Sequence, residues 1–167
     1  PLAPFIGDEL ALTQALTGAL TTLPILMLAI GAMPGSLAIS RIGPRNTLAL
    51  AMVIMVIGSA GRGLVPDTVT LMIASAVMGL GVAMMQPALP ALLPRWLEPH
   101  HIALGSAIYM NGMLMGEFIG AGITLPVLMP LLDNSWRATV LAWSLPALLV
   151  VAALFLPKRD LARPARK

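Results

Sequence analysis

From Leu10 to Ser40 the chain carries no Asp, Glu, Lys or Arg, and the pattern recurs along its length. A helix crosses the ~30 Å hydrocarbon core of a bilayer with ~20 apolar residues, so the spacing of charges reads almost directly as a set of spans. Five windows satisfy it: about 13–39, 47–65 with Arg62 near its end, 69–93, 102–128 with Glu117 inside it, and 138–156. The chain is 58% hydrophobic and 10% charged, against the roughly 25% charged residues of a soluble domain. So few charges cannot form a water-facing surface, and lipid must cover most of it. The fold class expected is therefore all-α, a multi-spanning transmembrane helix bundle.

The connectors at 40–46 (SRIGPRN), 66–67, 94–101 (PRWLEPHH) and 130–137 (PLLDNSWR) hold turn-forming residues and are too short for domains. Consecutive helices must then run antiparallel. Residues 1–157 read as one partial bundle, and 158–167 (KRDLARPARK) as a basic linker or tail. One side of the bundle collects Arg41, Arg45, Arg95, Lys158, Arg159, Arg163, Arg166 and Lys167; the other has only Arg62 and Arg137, with Asp8, Glu9, Asp67 and Asp133. The positive-inside rule assigns the first side, with loops 40–46 and 94–101 and the tail, to the cytoplasm of a multi-pass cell-membrane protein. Cysteine is absent, so thiolate metal sites, disulfides and cysteine nucleophiles are excluded. The net charge of +3 acts as a topology signal, and no nucleic-acid partner is expected.

Glycines at 31 and 35, 79 and 81, and 112, 116 and 120 suit close helix packing, the last three as a groove. Pro24, Pro87, Pro90, Pro126 and Pro146 each remove a backbone donor inside a span and predict bends.

The stretch Ser36 to Leu48 (SLAISRIGPRNTL) resembles the signature loop between helices two and three of the major facilitator superfamily, roughly G-x-L-A-D-R-x-G-R-K-x-x-L. Arg41, Gly43, Arg45 and Leu48 fall on the pattern, while Ser40 stands at its Asp and Pro44 at its first basic position. Residues 109–126 (YMNGMLMGEFIGAGITLP), 83–95 (AMMQPALPALLPR), Gly61-Arg62 and Trp136-Arg137 are similar to the cyanate permease and nitroimidazole transporter branch. The resemblance implies helices two to six of a twelve-helix carrier, with the first helix and the second half of the same protein as missing partners. Pro1 in place of Met agrees with a lost front segment. It further implies secondary active transport by alternating access of a small polar or anionic solute, with or without proton coupling. A drug or multidrug efflux carrier of the same superfamily is the alternative.

Glu117 is the one acidic residue within a span, where a carboxylate costs at least ~2.5 kcal/mol on insertion scales. It reads either as a proton-binding or relay group, or as a neutral acid hydrogen-bonded to a carbonyl. Gln86 shares a helix face with Ser75, Gly79 and Val82 and serves either a polar solute or an interhelical hydrogen bond. Arg62 near its helix end is read first as a headgroup anchor that snorkels, second as an anion attractor. Tyr109 and Asn111 are further pathway candidates, about 160° apart around their helix. Thr13, Thr17 and Thr21 line one face and either border a path or bond back to their own helix. His100 and His101 beside Glu98 form a metal pattern without a third ligand at useful spacing, so no metal and no cofactor is expected. An intramembrane enzyme would need a catalytic cluster at depth, and Glu117 stands there by itself; no catalytic residue is assigned.

Overall fold

The computed structural model describes residues 2–10 and 12–155, and within them all regular structure is helical. The expected basic tail at 158–167 and the end of the last span, Leu156, lie outside the described residues. A short helix α1 (Ala3–Glu9) leads into α2 (Gln14–Ile42), α3 (Pro44–Leu64) and α4 (Thr68–Trp96). A 3₁₀ turn at Pro99–His101 then opens α5 (Ile102–Ile123), which runs through a π-helical turn at Thr124–Leu128 into the single-turn α6 (Met129–Leu131). Helix α7 (Trp136–Phe155) closes the bundle. Five of these helical stretches are long and apolar enough to cross a membrane: Gln14–Ile42, Pro44–Leu64, Thr68–Trp96, Pro99–Leu131 and Trp136–Ala153. They alternate in direction between a Glu9 end and a Gly43 end.

The helix starts follow local chemistry. Thr13 caps α2, its hydroxyl accepting from Leu16 N at 3.3 Å, and Asp67 caps α4, its carboxylate accepting from Thr70 N at 2.9 Å. Between Leu131 and Trp136 the chain reverses through Asp133 and Asn134, both at positive φ (51° and 57°), residue types that tolerate the left-handed region.

The segment expected as a loop at 40–46 is mostly helix. Only Gly43, at φ 82°, separates α2 from α3. Pro44 starts α3 where its missing N–H costs nothing, and the Asn46 amide donates to Ile42 O across the break at 3.0 Å. Likewise α4 runs through Arg95 to Trp96, which reduces the connector expected at 94–101 to Leu97, Glu98 and the 3₁₀ turn. Cutting spans at charged residues shortened them for a simple reason: a 29-residue helix is about 43 Å long and overhangs the ~30 Å core, so its charged last turn lies outside the hydrocarbon.

Helix α4 is the hub, packed against α2 on one side and α3 on the other, while α7 packs on α3. Lipid offers apolar helices no hydrophobic gain from meeting one another, so close backbone approach decides who packs with whom. Small residues provide it. A Cβ on Gly79 would meet Pro24 Cα at 2.9 Å, one on Gly35 would meet Met84 Cα at 3.0 Å, and one on Gly81 would meet Met55 N at 2.5 Å. Larger side chains fill two clusters: Ile6, Leu20, Leu71, Met129, Trp136 and Val140 at the Glu9 end, and Leu48, Met52, Ala88, Leu92 and Val151 toward the Gly43 end.

Helix α5 behaves differently. None of its residues is buried, and a Cβ on Gly112, Gly116 or Gly120 would meet nothing within 4 Å. The groove expected there receives no helix among the described residues, in contrast to the glycines of α2 and α4.

Candidate functional site

Clefts open in two parts of the bundle. The first lies between α3, α4 and α5 and is lined by Met55, Val82, Met85, Gln86, Leu89, Tyr109 and Met113. Its volume of about 320 Å³ falls at the lower end of the range of small-molecule sites (~300–1,000 Å³). The structure thus brings Gln86 and Tyr109 to one cleft, as two polar groups on an apolar wall with three methionines. Asn111 is not part of it: it is exposed, and its amide donates back to Ala107 O at 2.8 Å.

The second group lies at the Glu9 end around Arg62. The sequence favours an anchor at the headgroups, but the structure turns the Arg62 side chain into the bundle. The α3 residues Gly58 and Gly63 are buried against α4 and α7 on either side of it, so the guanidinium lies among helices rather than along lipid. One cleft beside it is lined by Leu20, Thr21 and Pro24 of α2 with Ile6 of α1. The other is lined by Ser59, Met78, Gly120, Thr124 and Trp143, from α3, α4, α5, the π-helical turn and α7. Arg62 Nη1 donates to Met78 Sδ at 3.6 Å, and Nε is buried with no hydrogen-bond partner.

Hydrogen bonds between helices hold this end together. Ser59 Oγ and Ser144 Oγ are 2.9 Å apart, joining α3 to α7, and Trp143 Nε1 donates to Thr124 Oγ1 at 2.9 Å, joining α7 to the π-helical turn. Above them sits a clasp. The Glu9 carboxylate accepts from Arg137 Nε (3.2 Å) and Nη2 (3.1 Å) and from Trp136 Nε1, while Arg137 Nη1 donates to Val65 O. The guanidinium also stands 4.5 Å from the Trp136 ring centroid. One carboxylate on α1 therefore fixes the start of α7 and the end of α3. In the sequence Glu9 stands 127 positions from Trp136 and 128 from Arg137, with no local signal that pairs them.

Glu117 is exposed on α5, and among the described residues its side chain forms no ion pair or hydrogen bond. Its position is informative. It stands four residues after Met113 of the first cleft and three before Gly120 of the second, so all three lie along one strip of the helix. The threonine series resolves to back-bonding: Thr17 Oγ1 donates to Thr13 O at 3.2 Å, and Thr21 Oγ1 to Gly18 O at 2.8 Å. Thr21 nevertheless also lines one of the two clefts beside Arg62.

At the Gly43 end, Ser40 Oγ donates to Leu37 O at 2.8 Å, and Arg41 and Arg45 are exposed on either side of Gly43. The structure keeps Glu98 beside the histidines: ligand atoms of Glu98, His100 and His101 lie within 4.8 Å of one another, with His100 Nδ1 3.6 Å from the carboxylate. All three are exposed, as solvated groups commonly are without an ion.

The sequence profile of the Major Facilitator Superfamily matches residues 1–167. Among curated proteins, the chain is 26% identical over 155 residues to the cyanate transport protein CynX of Escherichia coli (strain K12), covering 93% of this chain and 39% of that protein. It is 33% identical over 141 residues to the 2-nitroimidazole transporter of the same strain, covering 84% and 35%. The arabinose-proton symporter of that strain is 26% identical over 162 residues, covering 92% and 32%. The chain thus spans roughly two fifths or less of the length of these relatives.

Proposed function

The chain belongs to the Major Facilitator Superfamily, and on that premise we propose that the protein carrying it is a secondary active transporter that moves a small polar or anionic solute across the cell membrane by alternating access. The observation that carries this reading is the cleft at Gln86 and Tyr109. It pairs one amide and one phenol with an apolar wall, sits between three spans, and has nothing of the catalytic constellation an enzyme needs. A solute bound there needs no covalent step. It needs exposure first to one side and then to the other, which rocking of two helix bundles supplies.

Cyanate and nitroimidazoles are the first solutes to test, because two relatives carry those names. Proton coupling is suggested by the name of a third, and Glu117 is the group in this chain suited to it. It lies within a span, is acidic, and stands on the strip of α5 that borders both clefts. We assign the Gly43 end, with Arg41, Arg45 and Arg95, to the cytoplasm by the excess of basic residues there. Arg41 and Arg45, flanking the Gly43 break, are placed to engage neighbouring helix ends in one access state.

The efflux alternative is favoured by one feature of the same cleft. Met55, Met85 and Met113 line it, and methionine-rich walls adapt to varied apolar compounds.

Uptake of labelled cyanate and of a nitroimidazole into cells expressing the full-length protein, with and without a proton gradient, tests the reading. Gradient-dependent accumulation is the expected result, and Glu117→Gln abolishes the gradient dependence. Intact coupled uptake in that variant would remove the relay role. Energy-dependent expulsion of apolar dyes, with no accumulation of either solute, would decide for efflux.

A further inference from the structure

Arg62 is a cation placed among helices with donors that its own chain does not use. Nε is buried and has no partner, and Nη1 reaches only a thioether, a weak acceptor. Among the described residues no carboxylate lies within 4.0 Å of it; the ion pairs formed are Glu9 with Arg137 and Glu98 with His100.

The surrounding polar groups are committed elsewhere. Ser144 Oγ donates to Val140 O at 3.1 Å, so in the bond between the two serines Ser59 is the donor. Thr124 Oγ1 donates to Gly120 O while accepting from Trp143 Nε1. Thr21 donates to its own helix. Each hydroxyl around the guanidinium has given its proton to a neighbour, which leaves the arginine as the donor facing these clefts. A ligand held here must therefore accept hydrogen bonds, and the half-buried positive charge selects an acceptor that is negatively charged.

We propose that Arg62 is the anion-binding group of the carrier, holding a small monovalent anion of the size of cyanate, nitrate or formate in the clefts at the Glu9 end. The proposal rests on the carrier reading above and names the substrate class: the anion is the solute, met by Arg62 before it reaches the cleft at Gln86. The neighbouring wall suits a small guest. Gly120 leaves room beside the guanidinium, and the Thr124–Trp143 and Ser59–Ser144 bonds fix the helices that enclose it.

The test is direct anion binding to the purified full-length protein in detergent, by calorimetric titration with cyanate, nitrate and formate at constant ionic strength, with urea as the neutral control. Wild type is expected to bind the anions saturably and urea not at all. Arg62→Gln should weaken anion binding by about tenfold or more, the worth of a charge-assisted hydrogen bond, and Arg62→Lys should retain part of it and lose the preference among planar anions. Should Arg62→Gln fail to fold, the lysine variant carries the test, since it keeps the charge. Anion binding unchanged in Arg62→Gln, or in Arg62→Lys where that variant stands in for it, overturns the proposal. So does the absence of saturable anion binding to a wild-type protein that transports some solute along the gradient, in which case the carrier reading stands and Arg62 serves a side chain of the rest of the protein. Arg62-dependent anion binding by a protein that transports nothing would sink the carrier reading and leave the site.

Discussion

Gly81→Ala and Gly61→Ala are the same chemical change, and the structure gives them opposite signs. At Gly81 an added Cβ would lie 2.5 Å from Met55 N, 2.7 Å from Ala51 O and 2.8 Å from Met55 Cα, all backbone atoms of α3 that cannot turn aside. Non-bonded carbons prefer ~3.5–4.0 Å, so α3 and α4 must separate by about 1 Å, which forfeits a quarter to a half of the attraction across that contact. Overpacking of this kind costs about 1–3 kcal/mol, against the ~0.8–1.0 kcal/mol that alanine gains over glycine inside a helix. The net expectation for Gly81→Ala is a loss of about 0–2 kcal/mol. At Gly61 the Cβ would stand 3.5 Å from Ala74 Cβ, an ordinary contact, so the propensity gain of about 1 kcal/mol survives. Thermal melting of the full-length protein in detergent, followed by its monodisperse fraction, should rank Gly61→Ala at or above wild type and Gly81→Ala below both. Because Met55 lines the Gln86 cleft, solute uptake should fall in Gly81→Ala and persist in Gly61→Ala. If Gly81→Ala melted at or above Gly61→Ala, the contact between α3 and α4 would not be the close one described.

Glu9→Gln keeps an acceptor but removes the charge that Arg137 and Trp136 share; with Glu9 half exposed, the loss should be about 1 kcal/mol, larger at low salt than at high, and a melting point equal to wild type at low salt would refute the clasp. Asp67 has its carboxyl held below the usual aspartate range, first by the Thr70 backbone N–H and then by the Thr70 hydroxyl. A depressed folded value means that the cap stabilises the ionised form: its contribution is complete above the unfolded aspartate value and is lost as pH falls through the lower folded one. The stability difference between wild type and Asp67→Ala should therefore be present at neutral pH and shrink in acid, and a difference constant with pH would contradict the cap.

The number and order of spans were legible because they depend on one quantity, the length of chain between charges, and the bilayer sets that length for every span alike. The helix ends were less so. Arg41, Arg45 and Arg95 stop a hydropathy window but not a helix, since a charged last turn that overhangs the core costs nothing in water. The break at Gly43 was visible as a glycine before a proline, but only the asparagine three residues on, bonding to Ile42 O, shows how tightly it turns. The caps at Thr13 and Asp67 follow from local residue types alone.

Depth and direction are separate properties of a residue on a helix, and the sequence carries the first far better than the second. Arg62 lies near the end of α3, and from depth alone a snorkelling anchor follows. Its direction is set by glycines elsewhere: Gly58 lets α4 close on α3 at Met78, Gly63 lets α7 close on α3 at Arg137 and Leu141, and the side chain between them is left facing the clefts. Tertiary pairs had the same fate. Glu9 with Arg137 and Thr124 with Trp143 depend on which helices the small residues allow to meet. Gln86 and Tyr109 came together because both lie on the sides of α4 and α5 that border one cleft, a relation that hydropathy does not encode. In a helical membrane protein the apolar residues say how many spans there are. The small residues say which polar groups will share a site, and they say it only once the helices have been set side by side.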